Sequence, residues 1–416
     1  MMHRQGCIHF CSSNTCTATT GGTIKTLLQI LLVLTLLTPA RAIDWLPTDT
    51  GARSLSMGGT WLAAGRGSVL SAGNPALLAF QSHWMAEFNT FYTKDRLEVY
   101  DSISDETEES SKSTVLDFQS AGFVGIGRAM ASNATLAALG VHYQRLISTG
   151  FAASNENALG GPEAISVGAG FRIADRAGIG IGLRVIGGTR KSTTNEQSTE
   201  YSGGYVSMGV AIPFERIGLP VPVIVGLTFQ PASRFTVKSK QYVYAYEIEL
   251  PAEFGVGVSY TPTRYLLLAS DVRYLMSEGK TFQPGGLSGS ARYPLTSKDV
   301  NRWDVRCGTE MCFPLPNAVV KLRGGVSFMP VLTDRLVSDN FLYQMGASRD
   351  ETETCFSWGV GIEKQALALD IAVSQRVSDR EAWLTPNPIW IPGSPNQHVS
   401  AKLTSTLLFL GLTLSF

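Results

Sequence analysis

The sequence predicts an all-β fold: a barrel of fourteen antiparallel strands that crosses a membrane. Three observations predict it. Strand-like runs alternate apolar and polar residues with period two; the connections between them alternate between short and long; and the last run ends on an aromatic residue at the C-terminus. That run, 405–416, reads S-T-L-L-F-L-G-L-T-L-S-F. Thr406, Leu408, Leu410, Leu412, Leu414 and Phe416 share one face, and Leu407, Phe409, Gly411, Thr413 and Ser415 share the other. So greasy a terminal strand would be an aggregating edge in water, but it suits the closing strand of a barrel with its apolar side toward lipid. A buried last strand of a sandwich is the competing explanation of this segment alone.

Composition is compatible with a barrel. The chain of 416 residues carries 34 basic and 34 acidic side chains, so no net field argues for nucleic acid. Charged residues make up 16%, below the roughly 25% of soluble domains. Glycine is abundant, with 42 residues, many inside alternating runs where a lumen-facing glycine leaves space. After the leader no run reaches the roughly 18 apolar residues of a spanning helix, which excludes a helical membrane protein.

Residues 1–42 read as a secretion signal. Lys25 precedes an apolar core over 27–37, and Ala40-Arg41-Ala42 supplies a small-residue cleavage pattern, so the mature chain is expected to begin at Ile43. No cysteine follows that site, which argues against a lipoprotein. The region before Lys25 is long for a leader, and the expected translation start lies further in. Cys307, Cys312 and Cys355 remain in the mature chain; without a second pair of ligands they read as packing residues rather than a zinc site.

Residues 43–82 are rich in Gly, Ala and Ser and follow neither period. Fourteen strand-like runs then occupy 83–93, 115–127, 135–147, 163–173, 178–187, 204–213, 221–230, 252–261, 265–275, 302–312, 318–329, 354–363, 366–377 and 401–416. Short connections follow the even-numbered runs and long polar ones follow the odd-numbered runs, the loop asymmetry of an outer-membrane barrel. An even strand count puts both termini on one side, expected to be the periplasm. Eleven residues at about 3.3 Å each, tilted about 40°, rise roughly 28 Å, enough for the apolar band of such a barrel. Turning the apolar parity outward leaves Arg172, Arg184, Asp271, Arg273, Asp304, Arg306, Glu310, Lys321, Arg323, Asp370 and Arg376 pointing into the lumen. The opposite orientation would set cations against hydrocarbon at about 2–4 kcal/mol each.

Nothing in the pattern points to an enzyme or a cofactor. The histidines His83, His142 and His398 have no local partners suggesting a hydrolase. The glycine-rich run 178–182 lies within a strand, with no helix after it to bind phosphate. The acidic stretch 101–109 reads as a solvated loop.

The run Gly51-Ala-Arg-Ser-Leu-Ser-Met-Gly58-Gly59 followed by Asn74-Pro75-Ala76, ahead of a fourteen-strand barrel ending in Phe, resembles the FadL-type family of long-chain fatty-acid and hydrocarbon transporters. The resemblance implies that 43–82 form a hatch plugging the lumen of the barrel 83–416. It also implies that the Asn74-Pro75-Ala76 triplet, with Gly58 and Gly59, lies at the gate. The same pair of motifs occurs in PorV-like barrels that act as secretion scaffolds, so a non-transporting barrel stays open as the alternative. A terminal aromatic such as Phe416 resembles the signal read by the outer-membrane assembly machinery.

Two long connections are unusually apolar. The stretch 330–346 carries Leu332, Leu336 and Phe341, and the stretch 383–392 carries Trp383, Leu384 and Trp390. These are candidate ligand-capture residues; packing over the barrel mouth is the other explanation. Arg273, Arg306 and Arg323 are the candidate partners of a head group. Half of a sixteen-carbon chain gains roughly 6 kcal/mol on burial, so apolar contacts set affinity and charge sets orientation. The expectation is a monomeric outer-membrane barrel in the lipid bilayer that passes long-chain fatty acids or other hydrophobic small molecules without an energy source. A general porin is a third option.

Overall fold

The computed structural model describes residues 51–101, 106–113, 117–131, 134–145, 158–192, 198–239, 244–250, 252–276, 302–330, 336–337, 344–345, 352–384 and 397–416. Fourteen antiparallel strands close into a barrel. The first seven are β1 (Met85–Asp101), β2 (Glu106–Ser113 continued by Asp117–Ala131), β3 (Ala134–Arg145), β4 (Ala158–Ile173), β5 (Ala177–Ser192), β6 (Ser198–Pro213) and β7 (Val223–Gln230 continued by Ser233–Ser239). The second seven are β8 (Tyr244–Leu250 continued by Ala252–Thr263), β9 (Leu266–Met276), β10 (Arg302–Leu315), β11 (Ala318–Pro330), β12 (Thr352–Lys364), β13 (Leu367–Leu384) and β14 (Gln397–Ser415). Each pairs with its sequence neighbours, and β1 pairs with β14 from Met85 opposite Ser415 to Asp101 opposite Val399. Phe416 extends the seam by donating its N–H to the Trp84 carbonyl at 2.9 Å. Closure leaves no unpaired edge among the described strands, as hydrocarbon requires of a sheet.

The strands run on beyond the expected boundaries at the long-connection end. The segment 101–109, expected to be loop, is largely ladder: Lys94–Asp101 pairs with Glu106–Ser113. Likewise Ser233–Ser239 pairs with Tyr244–Leu250, and Trp383 and Leu384 lie on β13 opposite His398 and Gln397. Backbone pairing satisfies N–H and C=O groups whatever the side chains carry. Outside an apolar band the hydrophobic period fades while the ladder continues, which is why periodicity ended these strands early. Leu336–Val337 and Gln344–Met345 form a two-residue ladder between β11 and β12.

The alternation sorts as expected. Ile179, Ile181, Leu183 and Val185 of β5 are exposed on the outer face, as are Phe254 and Val258 of β8 and Phe356 and Ile362 of β12. Arg184, between Leu183 and Val185, is only 3% exposed, and Asp271, Asp304, Arg306 and Glu310 are equally buried inside. An apolar exterior around a charged interior is the membrane-spanning arrangement. Ile181→Arg is expected to lower unfolding free energy in lipid vesicles by about 2–4 kcal/mol in a denaturant titration. An unchanged midpoint would mean that this face meets water.

Candidate functional site

Residues 51–82 pack against the inner faces of all fourteen strands. Their path is set by short local elements. Helix α1 (Ala52–Ser56) ends where Gly58 and Gly59 take φ of 68° and 78° in succession, a left-handed pair that residues with a Cβ rarely adopt. The 3-10 turn Ser68–Ser71 follows, and then the 3-10 turn Pro75–Phe80. Asn74 caps the latter: its Oδ1 accepts from the Ala76 N–H at 3.2 Å, and Pro75 occupies the first position, where no backbone donor is needed. Asn74 Nδ2 also donates to the Leu62 carbonyl at 2.6 Å, tying two passes of the segment together.

The wall is shaped to receive this path. A Cβ on Gly180 would lie 2.3 Å from the Ala76 nitrogen, one on Gly209 2.1 Å from Asn74 Oδ1, and one on Gly308 2.2 Å from the Met57 carbonyl oxygen. Glycine at alternate wall positions therefore lets segment backbone lie directly on strand backbone. Apolar contact completes the fit. Ala52 and Leu55 pack with Phe91, Ala372, Leu407 and Phe409, and Leu70 and Ala76–Phe80 pack with Val124, Ala137, Ala138 and Ala211.

Charged wall residues hold the first half of the segment. Asp271 accepts from the Trp61 and Leu62 N–H groups at 2.7 and 2.9 Å. Arg306 donates to the Gly59 carbonyl at 3.0 Å, and Gly58 N–H donates to Ser357 Oγ at 2.9 Å. Glu310 receives Arg53 from the segment at 2.9 Å and Arg323 from the neighbouring strand at 2.7 Å, while Arg323 also reaches Asp370 at 2.6 Å. The second half is held by Glu87, which accepts from the Ser68 N–H and Oγ, and by Arg172, whose Nη2 donates to the Ala79 carbonyl at 2.7 Å. A cavity of about 120 Å³ remains at the short-turn end, lined among others by Arg53, Arg66, Glu87, Lys321, Glu363 and Asp370. Burial, and then the neighbouring Arg53 charge, push the Arg66 guanidinium below its ordinary range.

The site residues expected from the sequence fall into three groups. Asn74, Pro75, Ala76, Gly58 and Gly59 lie buried between segment and wall. Arg273 and Arg306 converge on Asp304, and Arg323 sits apart on Glu310. All three guanidinium groups are thus in ion pairs with the protein itself. Leu336 is placed by its backbone in the two-residue ladder, and Trp383 and Leu384 by theirs at the end of β13. Leu332, Phe341 and Trp390 lie outside the described residues. Sequence reasoning missed Arg53, Ser68, Glu87 and His142. Parity could have found Glu87 and His142, since each alternates with an outward apolar neighbour, Phe88 and Val141.

Because Glu310 serves two arginines, Glu310→Ala should cost about 3–5 kcal/mol by urea unfolding, the scale for orphaning a buried charge. Arg53→Ala, which leaves Glu310 paired with Arg323, should cost clearly less. Equal losses would show that Glu310 does not join the two halves of this network.

No protein-family model and no curated protein sequence matches the chain. Solved structures do. A Pseudomonas aeruginosa FadL homologue superposes with a TM-score of 0.60 at 11% identity, covering 91% of this chain and 100% of its own. The Pseudomonas putida toluene transporter TodX gives 0.56 at 12% identity, covering 90% and 99%. The Ralstonia pickettii toluene transporter TbuX gives 0.53 at 13% identity, covering 89% and 99%. At these identities the likeness concerns architecture: the chain has the fold of the FadL-type outer-membrane transporters.

Proposed function

We propose that this chain is a passive outer-membrane transporter of hydrophobic small molecules, with long-chain fatty acids as the leading substrate class and residues 43–82 as its hatch. The observation that carries the reading is the barrel itself, apolar outside and charged inside, with a segment lodged against its inner wall. The likeness to transporters of toluene supports a cargo that prefers hydrocarbon to water. No nucleotide site or energy-coupling segment is needed for a solute that moves down its gradient. The short-turn end, where β1 begins and β14 finishes, faces the periplasm in this reading.

The distribution of contacts suggests how the hatch moves. Residues 53–62 are fixed by Glu310, Asp271, Arg306 and Ser357. Ejecting the whole segment would break several buried charged contacts, at about 3–5 kcal/mol for each orphaned charge. Around Asn74 the attachment to the wall is lighter: Nδ2 reaches the Val210 carbonyl at 3.5 Å, and the rest is apolar contact. A local shift of residues 72–78, between the Ser68–Glu87 and Ala79–Arg172 contacts, is therefore the cheaper opening.

Replacing Asn74-Pro75-Ala76 by Gly-Gly-Gly should slow uptake of labelled oleate by cells severalfold while leaving heat-modifiable barrel folding intact. Equal uptake with and without the protein would remove transport altogether and favour a scaffold barrel. Unchanged uptake in the triple variant alone would mean that the triplet is no gate.

A further inference from the structure

The cavity at the short-turn end is enclosed by residues 51–54, 65, 66 and 69 of the N-terminal segment and by the inner faces of β1 and β11 to β14. Four cations line it: Arg53 and Arg66 from the segment, Lys321 and Arg323 from β11. Arg66 stands between two glycines that let the segment turn tightly. Gly65 N–H donates to the Trp61 carbonyl at 3.1 Å, and Gly67 takes φ of 80°. Arg53 Nη1 donates to the Ala64 carbonyl at 2.7 Å and so fastens the loop that carries Arg66.

Three of the four cations are paired. Arg53 and Arg323 share Glu310 at 2.9 and 2.7 Å, Arg323 also holds Asp370 at 2.6 Å, and Lys321 holds Glu363. Arg66 has neither a hydrogen bond nor an ion pair among the described residues. Of the charges that act on it, Arg53 repels it, while Glu310 and Glu363 attract it from beyond contact. Glu87, the remaining carboxylate on the cavity, accepts from the Ser68 N–H and hydroxyl instead. Lys321 also has capacity left over, since its ammonium carries three donors and Glu363 takes one. Water entering the cavity can solvate the Arg66 guanidinium but cannot cancel its charge, and a desolvated cation favours an anion in contact.

We infer that this cavity is an oxyanion site, taking a small phosphate or carboxylate group between Arg66 and Lys321. The guanidinium fork gives one anion two parallel N–H donors, and the free donors of Lys321 reach a third oxygen position. The volume of about 120 Å³ admits an ion of that size with water around it. Glu87 and Asp370, on β1 and β13, repel an anion from the opposite wall and confine it to the β11 side. So placed, the anion ties residue 66 of the segment to the wall, a fastening between those at Arg53 and Ser68. The inference does not depend on what crosses the barrel.

Titration calorimetry on the purified full chain in detergent, at constant ionic strength, tests the site with inorganic phosphate, acetate and chloride as probes. Phosphate should bind at one saturable site and raise the midpoint of thermal unfolding, and chloride should bind about tenfold more weakly or worse. Arg66→Gln should weaken phosphate by about tenfold or more and abolish the phosphate-dependent rise in midpoint. Without phosphate the same variant should melt no lower than the unaltered protein, because no contact is lost; heat-modifiability confirms the folded barrel. Arg264→Gln is the control: its guanidinium lies over the Tyr265 ring, outside the cavity, and the variant should bind phosphate normally. Acetate binding with the same dependence on Arg66 supports the site and extends it to carboxylates. Absence of saturable binding by either oxyanion, or phosphate affinity unchanged in Arg66→Gln, overturns the inference and leaves a water-filled cavity. Chloride binding as tightly as phosphate overturns oxyanion recognition and leaves attraction by charge alone.

Discussion

The rest of the structure depends on one constraint: a chain in hydrocarbon must satisfy every backbone N–H and C=O within itself. A sheet meets that only by closing, and closure here rests on the β1–β14 seam, from Met85 opposite Ser415 through seventeen paired positions. Closure fixes parity. Because side chains alternate strictly, a slip of one residue in any strand would drive its buried charges into lipid and its leucines into the lumen. Arg184 lies between Leu183 and Val185, the first buried and the other two half exposed. No other register accommodates all three. The C-terminal aromatic belongs to the same device, since the Phe416 N–H closes the last bond of the seam on Trp84.

A lumen built this way accumulates charge, and buried charge needs partners. The wall answers with pairs of opposite sign along and across strands: Arg273 and Arg306 on Asp304, Arg323 on Glu310 and Asp370, Lys321 on Glu363. The N-terminal segment enters these networks as a further partner, contributing Arg53 and its own backbone groups. Its carbonyls and amides would otherwise be unsatisfied inside a packed barrel, and Asp271, Arg306, Ser357 and Arg172 each take one or two of them. The segment and the wall charges therefore stabilise each other, and neither is well satisfied alone.

Much of this was legible because it is local and periodic. The number of strands, their order, the outward face of β5, β8 and β12 and the inward charges all follow from counting by twos. Strand ends were not legible: Glu106–Ser113 pairs with Lys94–Asp101 through its backbone, and its side chains carry no hydrophobic signal. The lumen contacts were hidden for a different reason. Glu87 and Ser68 lie nineteen residues apart, but Arg53 meets Glu310 across 257. No pattern in the chain encodes which inward charge finds which partner. The glycines stand between these cases. Their presence on the lumen face was readable, but that Gly180 and Gly209 make way for Ala76 and Asn74 needed the path of the segment.

The two halves of that segment differ in kind, and the difference bears on motion. From Arg53 to Leu62 it is held by ionised side chains whose loss would orphan a buried charge. From Asn74 to Phe80 it lies against glycine rows and alanines, with Arg172 as the charged contact at its far end. Glycine rows offer no side chains to interlock, so the segment meets them through backbone and apolar contact. A lumen filler needed only as structural support would gain by interdigitating along its whole length. Smooth packing over Asn74–Phe80 beside ionic anchoring over Arg53–Leu62 is the arrangement the proposed pivoting hatch would use, with Ser68 on Glu87 and Ala79 on Arg172 as the contacts it would turn about or break.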